Sequence, residues 1–326
     1  MRSTAFGSNI PKRRDKALRI IFMGTPDFAV PCLLRLLADG EQVVGVFTQP
    51  DKPKGRGYTL TPPPVKTAAL EHGVPVFQPT TLRDGEAEKI IRSLAPDLIV
   101  VVAYGKILPK EILYYPKYHS VNIHASLLPK YRGAAPIQWS ILCGETETGV
   151  TSMLMDEGID TGDMLLHKTT KIEENMTAGE LHDVLAELGA QVLAETVSAL
   201  KNGTLRPVPQ TGESSYAPML TKALCPLDFS KSARVVHDQI RGLSPYPAAT
   251  FLLSGKRIKA FQSKLGGTAD KALPAGTVVS CDGDIAVACG DGNLVHITEL
   301  QPEGKKRMTA SAFLVGHNLP VGTLLE

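Results

Sequence analysis

Residues 18–47, LRIIFMGTPDFAVPCLLRLLADGEQVVGVF, decide the fold class of this chain. The unbroken apolar run at 18–23 stops at Gly24-Thr25-Pro26, as a strand buried on both faces should. A helix starting near Ala29 can hold Pro31 only in its first turn. Leu33, Leu34 and Leu37 give that helix an apolar face, and Gly40 can end it. Residues 42–47 read as a second strand, so the chain opens as a βαβ unit. The turn Gly24-Thr25-Pro26 is not G-x-G-x-x-G, and no G-x-x-x-x-G-K-[ST] occurs. Dinucleotide and nucleoside triphosphate binding therefore lose their usual support.

Outward from this unit the alternation continues. Helices are expected at 65–72, 82–94, 134–143 and 177–201, with strands at 74–77, 97–103, 120–124, 150–155 and 164–171. The run 97–103, DLIVVVA, is the most apolar and belongs at the centre, and the turn at 104–109 follows its carboxyl end. Thr177 with Glu180 three residues later makes a capping box for the long helix. This pattern predicts an α/β fold, a doubly wound and mostly parallel sheet. Over 202–219 the pattern gives way to Gly, Pro, Gln, Glu and Ser, as in a linker. Beyond it a helix at 230–243 precedes five short strands at 249–253, 257–265, 276–281, 285–289 and 294–300. Their Gly-containing turns suit hairpins, which predicts a smaller C-terminal OB-like β-barrel. The expected division is a basic, disordered tail at 1–17, a catalytic domain at 18–203, a linker at 204–219 and a second domain at 220–326.

Composition sets limits on function. The 326 residues are 43% hydrophobic and 21% charged, with a formal net charge of only +2. Bulk charge thus gives no reason to invoke nucleic acid, and a local patch has to supply one. Residues 48–58, TQPDKPKGRGY, set Lys52, Lys54 and Arg56 against Asp51, and Pro62-Pro63-Pro64 follows. Such a stretch reads as an irregular exposed loop. It suits a phosphate backbone and an ordinary solvated surface equally well. Five scattered cysteines without a C-x-x-C pair suit a reducing, cytoplasmic setting. No apolar run is long enough to span a bilayer, and the N-terminal stretch lacks the apolar core of a signal peptide.

The chemistry is concentrated in residues 120–163, SVNIHASLLPKYRGAAPIQWSILCGETETGVTSMLMDEGIDTGD. If 120–124 is a strand, Asn122 and His124 share one of its faces. An amide and an imidazole side by side form a pair of donors, one of them titratable near neutrality. The apolar run 150–155 delivers the acidic turn 156–163. If both strands end on one crevice of a parallel sheet, one of its carboxylates can join them. That set suits acyl transfer to an amine, with donors for a developing oxyanion and a carboxylate for the proton. The acidic turn fails as a calcium loop, because its third position is Gly158 and its sixth Thr161. No H-E-x-x-H or G-x-S-x-G is present, so zinc and serine-hydrolase readings fail too and no metal is expected.

Asn122-x-His124-x-Ser126-Leu127-Leu128-Pro129, Arg132-Gly133-Ala134-Ala135-Pro136-Ile137 and Gly158-Ile159-Asp160-Thr161-Gly162-Asp163 together resemble the folate-dependent formyltransferase family. The resemblance runs from about Leu18 to the C-terminus; Ala125 stands where relatives often have Gly. It implies a Rossmann-like formyltransferase core with Asn122, His124 and Asp160 as the catalytic residues. Asp156 and Asp163 are then left to order the loop. It also implies 10-formyltetrahydrofolate as formyl donor, released as tetrahydrofolate, with Ser126, Leu127, Leu128, Pro129, Tyr104, Gly105 and Ile107 at the folate site. The implied acceptor is the α-amino group of methionyl initiator tRNA, engaged by Lys52, Lys54 and Arg56, with Arg56 matching the key arginine. A monomer is expected. The alternatives are formyl transfer to a small amine, such as an amino sugar or purine precursor, and a non-catalytic folate- or RNA-binding protein.

Overall fold

The computed structural model describes residues 17–54, 59–269 and 273–326. All but the last residue of the expected tail lies outside them. Strand β1 (Arg19–Gly24) leads through a 3-10 turn into α1 (Val30–Ala38), with Pro31 in the first turn, and β2 (Gln42–Phe47) returns parallel to β1. The expected irregular loop contains a hairpin instead, β3 (Lys52–Lys54) against β4 (Thr59–Thr61). Pro53 is tolerated there because each strand of a two-stranded ribbon is an edge. Next come α2 (Pro64–Glu71), β5 (Val76–Phe77) and α3 (Glu86–Leu94). Helix α3 cannot begin at residue 82, because Gly85 before it is left-handed at φ +80°.

The chain continues through β6 (Leu98–Val102), α4 (Lys110–Leu113), β7 (Ser120–His124), β8 (Arg132–Gly133) and α5 (Pro136–Leu142). Strands β9 (Glu147–Leu154) and β10 (Met164–Lys171) precede the long α6 (Ala178–Lys201). The sequence's capping box is formed: Thr177 Oγ1 accepts from the Glu180 N–H, and the Glu180 carboxylate accepts from the Thr177 N–H. The main sheet has seven strands in the order β10-β9-β7-β6-β1-β2-β5. Pairing is parallel from β7 to β5, whereas β9 runs antiparallel to both β7 and β10. The expectation that 150–155 ends on the same crevice as β7 is therefore wrong. An apolar run reads alike in either direction, and only its pairing with β7, from Val121 opposite Leu154 to His124 opposite Thr151, sets its sense.

Both faces of this sheet are covered. Ile20 and Phe22 of β1 pack with Leu33, Leu36, Leu181, Leu185 and Leu193 from α1 and α6. Their neighbours Ile21 and Met23 point the other way, onto Ile91 and Ile112 of α3 and α4. Burial on both sides is why 18–23 carries no polar alternation.

After β11 (Tyr216–Ala217), α7 (Ala233–Gly242) leads into the second sheet. Its strands are β12 (Ala249–Leu253), β13 (Lys256–Thr268), β14 (Val278–Ser280), β15 (Ile285–Ala288), β16 (Asn293–Pro302) and β17 (Met308–Thr309), all antiparallel. Register shifts along β13 bend it, so the sheet curls as a half-barrel over α7 and α8 (Ala310–Gly316). The two sheets are joined by buried polar contacts. His237 Nε2 on α7 lies 2.8 Å from the Glu174 carbonyl, and Arg241 Nη1 donates to the carbonyls of Glu173 and Met176 at 3.2 Å.

Candidate active site

Asn122 and His124 follow one another on the same face of β7, and His124 is buried. His124 Nε2 is 2.9 Å from the Tyr131 carbonyl, which can only accept, so this nitrogen carries a hydrogen. That leaves Nδ1 as the nitrogen facing the Asp160 carboxylate, 3.6 Å from Oδ2.

Asp160 arrives by an indirect route. Strand β9 ends beside the start of β7, where the Met155 N–H donates to the Ser120 carbonyl at 2.9 Å. The 156–163 loop must then double back along β7. Asp156 ties its first turn, accepting from the Gly158 N–H at 3.0 Å and from Thr161 Oγ1 at 2.7 Å. At Gly162 a Cβ would stand 1.7 Å from the Leu154 carbonyl, so the close passage demands glycine. Asp160 itself is left-handed at φ +53°, a conformation that aspartate tolerates better than most residues. Its Oδ2 accepts from the Gly133 N–H at 2.8 Å, and its Oδ1 lies 3.4 Å from Asn122 Nδ2. Gly133 has φ +113°, and a Cβ there would meet the Ala217 carbonyl at 2.8 Å. Three groups thus converge on one carboxylate: an amide, a backbone N–H and an imidazole.

These residues line a cavity of about 680 Å³ at the carboxyl ends of β1, β6 and β7. Its wall includes Pro26, Phe28, Ala103, Tyr104, Gly105, Ile107, Met155, Ile159 and His182. The volume and the apolar wall suit a pterin-sized group. Tyr104 is buried and its phenol is pushed up to about 12 by burial, so it stays neutral. Its carbonyl is fixed by Thr25 Oγ1 at 3.1 Å and Gln49 Nε2 at 3.0 Å. Ile107 is exposed at the rim. Ser126, Leu127, Leu128 and Pro129 form the turn that follows β7 and are not among the residues lining the cavity. There Ser126 Oγ donates to the Lys130 carbonyl at 2.7 Å, and the Ser126 carbonyl and Leu128 N–H both bind Thr151 Oγ1 of β9.

Of the basic residues, Lys52 sits exposed on β3, while Arg56 and the Lys54 side chain lie outside the described residues. Asp51, in the same stretch, is bound by other groups. It takes the Lys66 ammonium on both oxygens at 2.8 Å and Gln78 Nε2 at 2.7 Å, and these bonds hold its carboxyl below the usual range. Lys106 donates to the Pro79 and Thr80 carbonyls; burial, with Lys52 nearby, lowers its pKa. Among the described residues no group of three or more His, Cys, Asp or Glu side chains is placed to hold a metal.

Sequence reasoning missed Tyr131, whose carbonyl orients His124, the Gly133 N–H, and Gln210, whose side chain binds the Asp160 loop. Gly133 had a signal, the Arg-Gly pair before a Pro-started helix; the Tyr131 carbonyl and Gln210 had none.

The formyl transferase family model matches residues 18–197, and the model of the formyl transferase C-terminal domain matches residues 219–318. A methionyl-tRNA formyltransferase from Trichlorobacter lovleyi is 53% identical over 308 residues, covering 94% of this chain and 96% of that protein. One from Pelobacter propionicus is 52% identical over 308 residues, covering 94% and 95%. In fold, the chain is similar to an N-formyltransferase from Helicobacter canadensis solved with folinic acid and dTDP-3-aminofucose. The TM-score there is 0.66 at 22% identity, covering 87% of this chain and 99% of that one. With both sheets matched and the convergent carboxylate in the cavity, the chain belongs to the formyl transferase family.

Proposed function

We propose that this enzyme transfers the formyl group of 10-formyltetrahydrofolate to the α-amino group of methionyl initiator tRNA. The observation that carries the chemistry is the meeting of Asn122, His124 and Asp160 at one cavity. The acceptor follows from near-full-length identity of about half with proteins named methionyl-tRNA formyltransferase. Five free thiols, three of them buried, accord with a cytoplasmic site of action.

The folate supplies an electrophilic formyl carbon bearing a nitrogen leaving group. Attack by the amine forms one C–N bond, with negative charge developing on the formyl oxygen; the other C–N bond then breaks, and the folate nitrogen leaves with the proton that the amine gives up. Asn122 Nδ2 and a protonated His124 Nδ1 are the donors for that oxygen. Losing one such donor costs on the order of 2.7–4 kcal/mol in the transition state. Nε2 is held by Tyr131, so His124 exchanges its proton through Nδ1. Asp160 Oδ2 stands 3.6 Å from Nδ1 and can take the proton that the amine must lose. Tyr104, Gly105 and Ile107, with Met155 and Ile159, form the folate wall. In this reading Ser126, Leu127, Leu128 and Pro129 support that wall from the turn that follows β7. Lys52, Lys54 and Arg56 meet the tRNA backbone, and residues 220–326 form a second tRNA-contacting domain.

The test is transfer of labelled formyl from 10-formyltetrahydrofolate to methionyl-tRNA by the purified protein, with and without excess uncharged tRNA. Transfer that uncharged tRNA inhibits supports the reading. Transfer to free amino sugars but not to methionyl-tRNA overturns it.

A further inference from the structure

We propose that Gln210, from the segment joining the two sheets, is a positioning residue for Asp160. The inference rests on the reading of Asp160 as a catalytic group. Gln210 uses both ends of its amide. Nε2 donates to the Asp160 and Gly162 carbonyls, each at 2.8 Å, and Oε1 accepts from Arg132 Nε at 3.1 Å and Nη2 at 2.7 Å. Arg132 immediately precedes Gly133, whose N–H holds the Asp160 carboxylate. One side chain therefore sets the loop that carries the carboxylate against the loop that carries its donor.

The placement of Gln210 is built, not incidental. On one side Val208 exchanges both backbone hydrogen bonds with Met164 at 2.9 Å. On the other, Ser215 accepts from the N–H groups of Arg132 and Tyr131, each at 2.9 Å, and β11 pairs with β8. The segment is thus pinned to both loops that Gln210 bridges. Asp160 also needs such a clamp. A left-handed residue keeps its conformation only where its surroundings over-determine it, and the direction of its side chain follows that of its peptide. Holding the carbonyls of residues 160 and 162 fixes both. Only an amide can donate to two carbonyls and accept from a guanidinium at once, so neither glutamate nor methionine can replace it.

The test compares kcat and KM for Gln210→Met, Gln210→Glu, Asp160→Asn and the double variant Asp160→Asn with Gln210→Met. Displacing a catalytic group by about 1 Å can cost about a hundredfold. Gln210→Met and Gln210→Glu are expected to lower kcat by about ten- to a hundredfold, with KM for both substrates within about twofold of wild type. Because Gln210 acts through the Asp160 carboxylate, adding Gln210→Met to Asp160→Asn should change kcat by less than about twofold. Wild-type kcat in both Gln210 variants, or the same loss in both backgrounds, overturns the proposal. Full activity in Asp160→Asn would instead defeat the reading of Asp160 itself, so the two failures are distinct. Gln210→Glu retains the acceptor for Arg132 and, made in both the wild-type and the Asp160→Asn backgrounds, carries the comparison should Gln210→Met lose its melting transition.

Discussion

Asp160 Oδ2 lies 3.6 Å from His124 Nδ1, although the strand leading to Asp160 runs opposite to the strand that carries His124. The carboxylate reaches the imidazole only because the 156–163 loop folds back over β7. Asp156 ties that return, Gly162 permits it and the Gly133 N–H receives its tip. The site is therefore held from several directions, and each support can be tested separately.

Asn122→Ala and His124→Ala should each lower the single-turnover rate of formyl transfer by about a hundredfold or more, since in the proposed mechanism each removes a donor to the developing oxyanion. Neither should abolish the cooperative melting transition, because the sheet beneath is packed by other residues. Rates within a few-fold of wild type would place the oxyanion elsewhere.

Gly133→Ala should destabilise the fold and slow transfer together. The added Cβ meets the Ala217 carbonyl at 2.8 Å, and a residue at φ +113° is strained whatever the space. Strain of this kind costs about 1–3 kcal/mol. A thermal melt paired with a rate assay checks it, and a variant as stable and fast as wild type would contradict the packing of β11 against β8.

Lys52→Ala should weaken use of methionyl-tRNA and leave folate binding intact. If Lys52 meets one phosphate, the slope of log affinity for tRNA against log salt should become shallower by about one. Titration at several salt concentrations reads this directly. An unchanged slope would return the hairpin to an ordinary solvated surface.

His237 gives a pH dependence of stability. Burial lowers its pKa and nearby Arg241 adds to the effect, while the bond to the Glu174 carbonyl opposes it. In the unfolded chain the ring titrates near ~6.5. From there down to the lower folded value the unfolded chain binds more protons, so stability falls as the pH drops through that window. Above the window the contribution is flat. Melting temperatures between pH ~7 and ~5 should fall more steeply for wild type than for His237→Gln. Parallel curves would show that His237 does not titrate across this range.

Much of this was legible in the sequence. Alternation of Ile20 with Ile21 across two buried faces, the Thr177–Glu180 box and the left-handed Gly residues act through local chemistry that a sequence displays. Asn122 and His124 were legible for the same reason, being two residues apart on one strand. Strand direction was not: β9 would read the same if reversed, and only its partners reveal its sense. Helix α8 was also missed, since seven residues capped by Thr309, about two turns, are too few to display a helical period. Gln210 could not be found at all, because it lies in a polar segment and gains its meaning from two carbonyls some fifty positions earlier.

The most direct test is the rate of formyl transfer to methionyl-tRNA by Asp160→Asn, an exchange that keeps the size of the side chain and its tolerance of a left-handed backbone. A rate reduced by about a hundredfold or more, in a protein that still melts cooperatively and binds the folate, is the expected result. A rate equal to wild type would mean that the carboxylate beside His124 takes no part in the transfer.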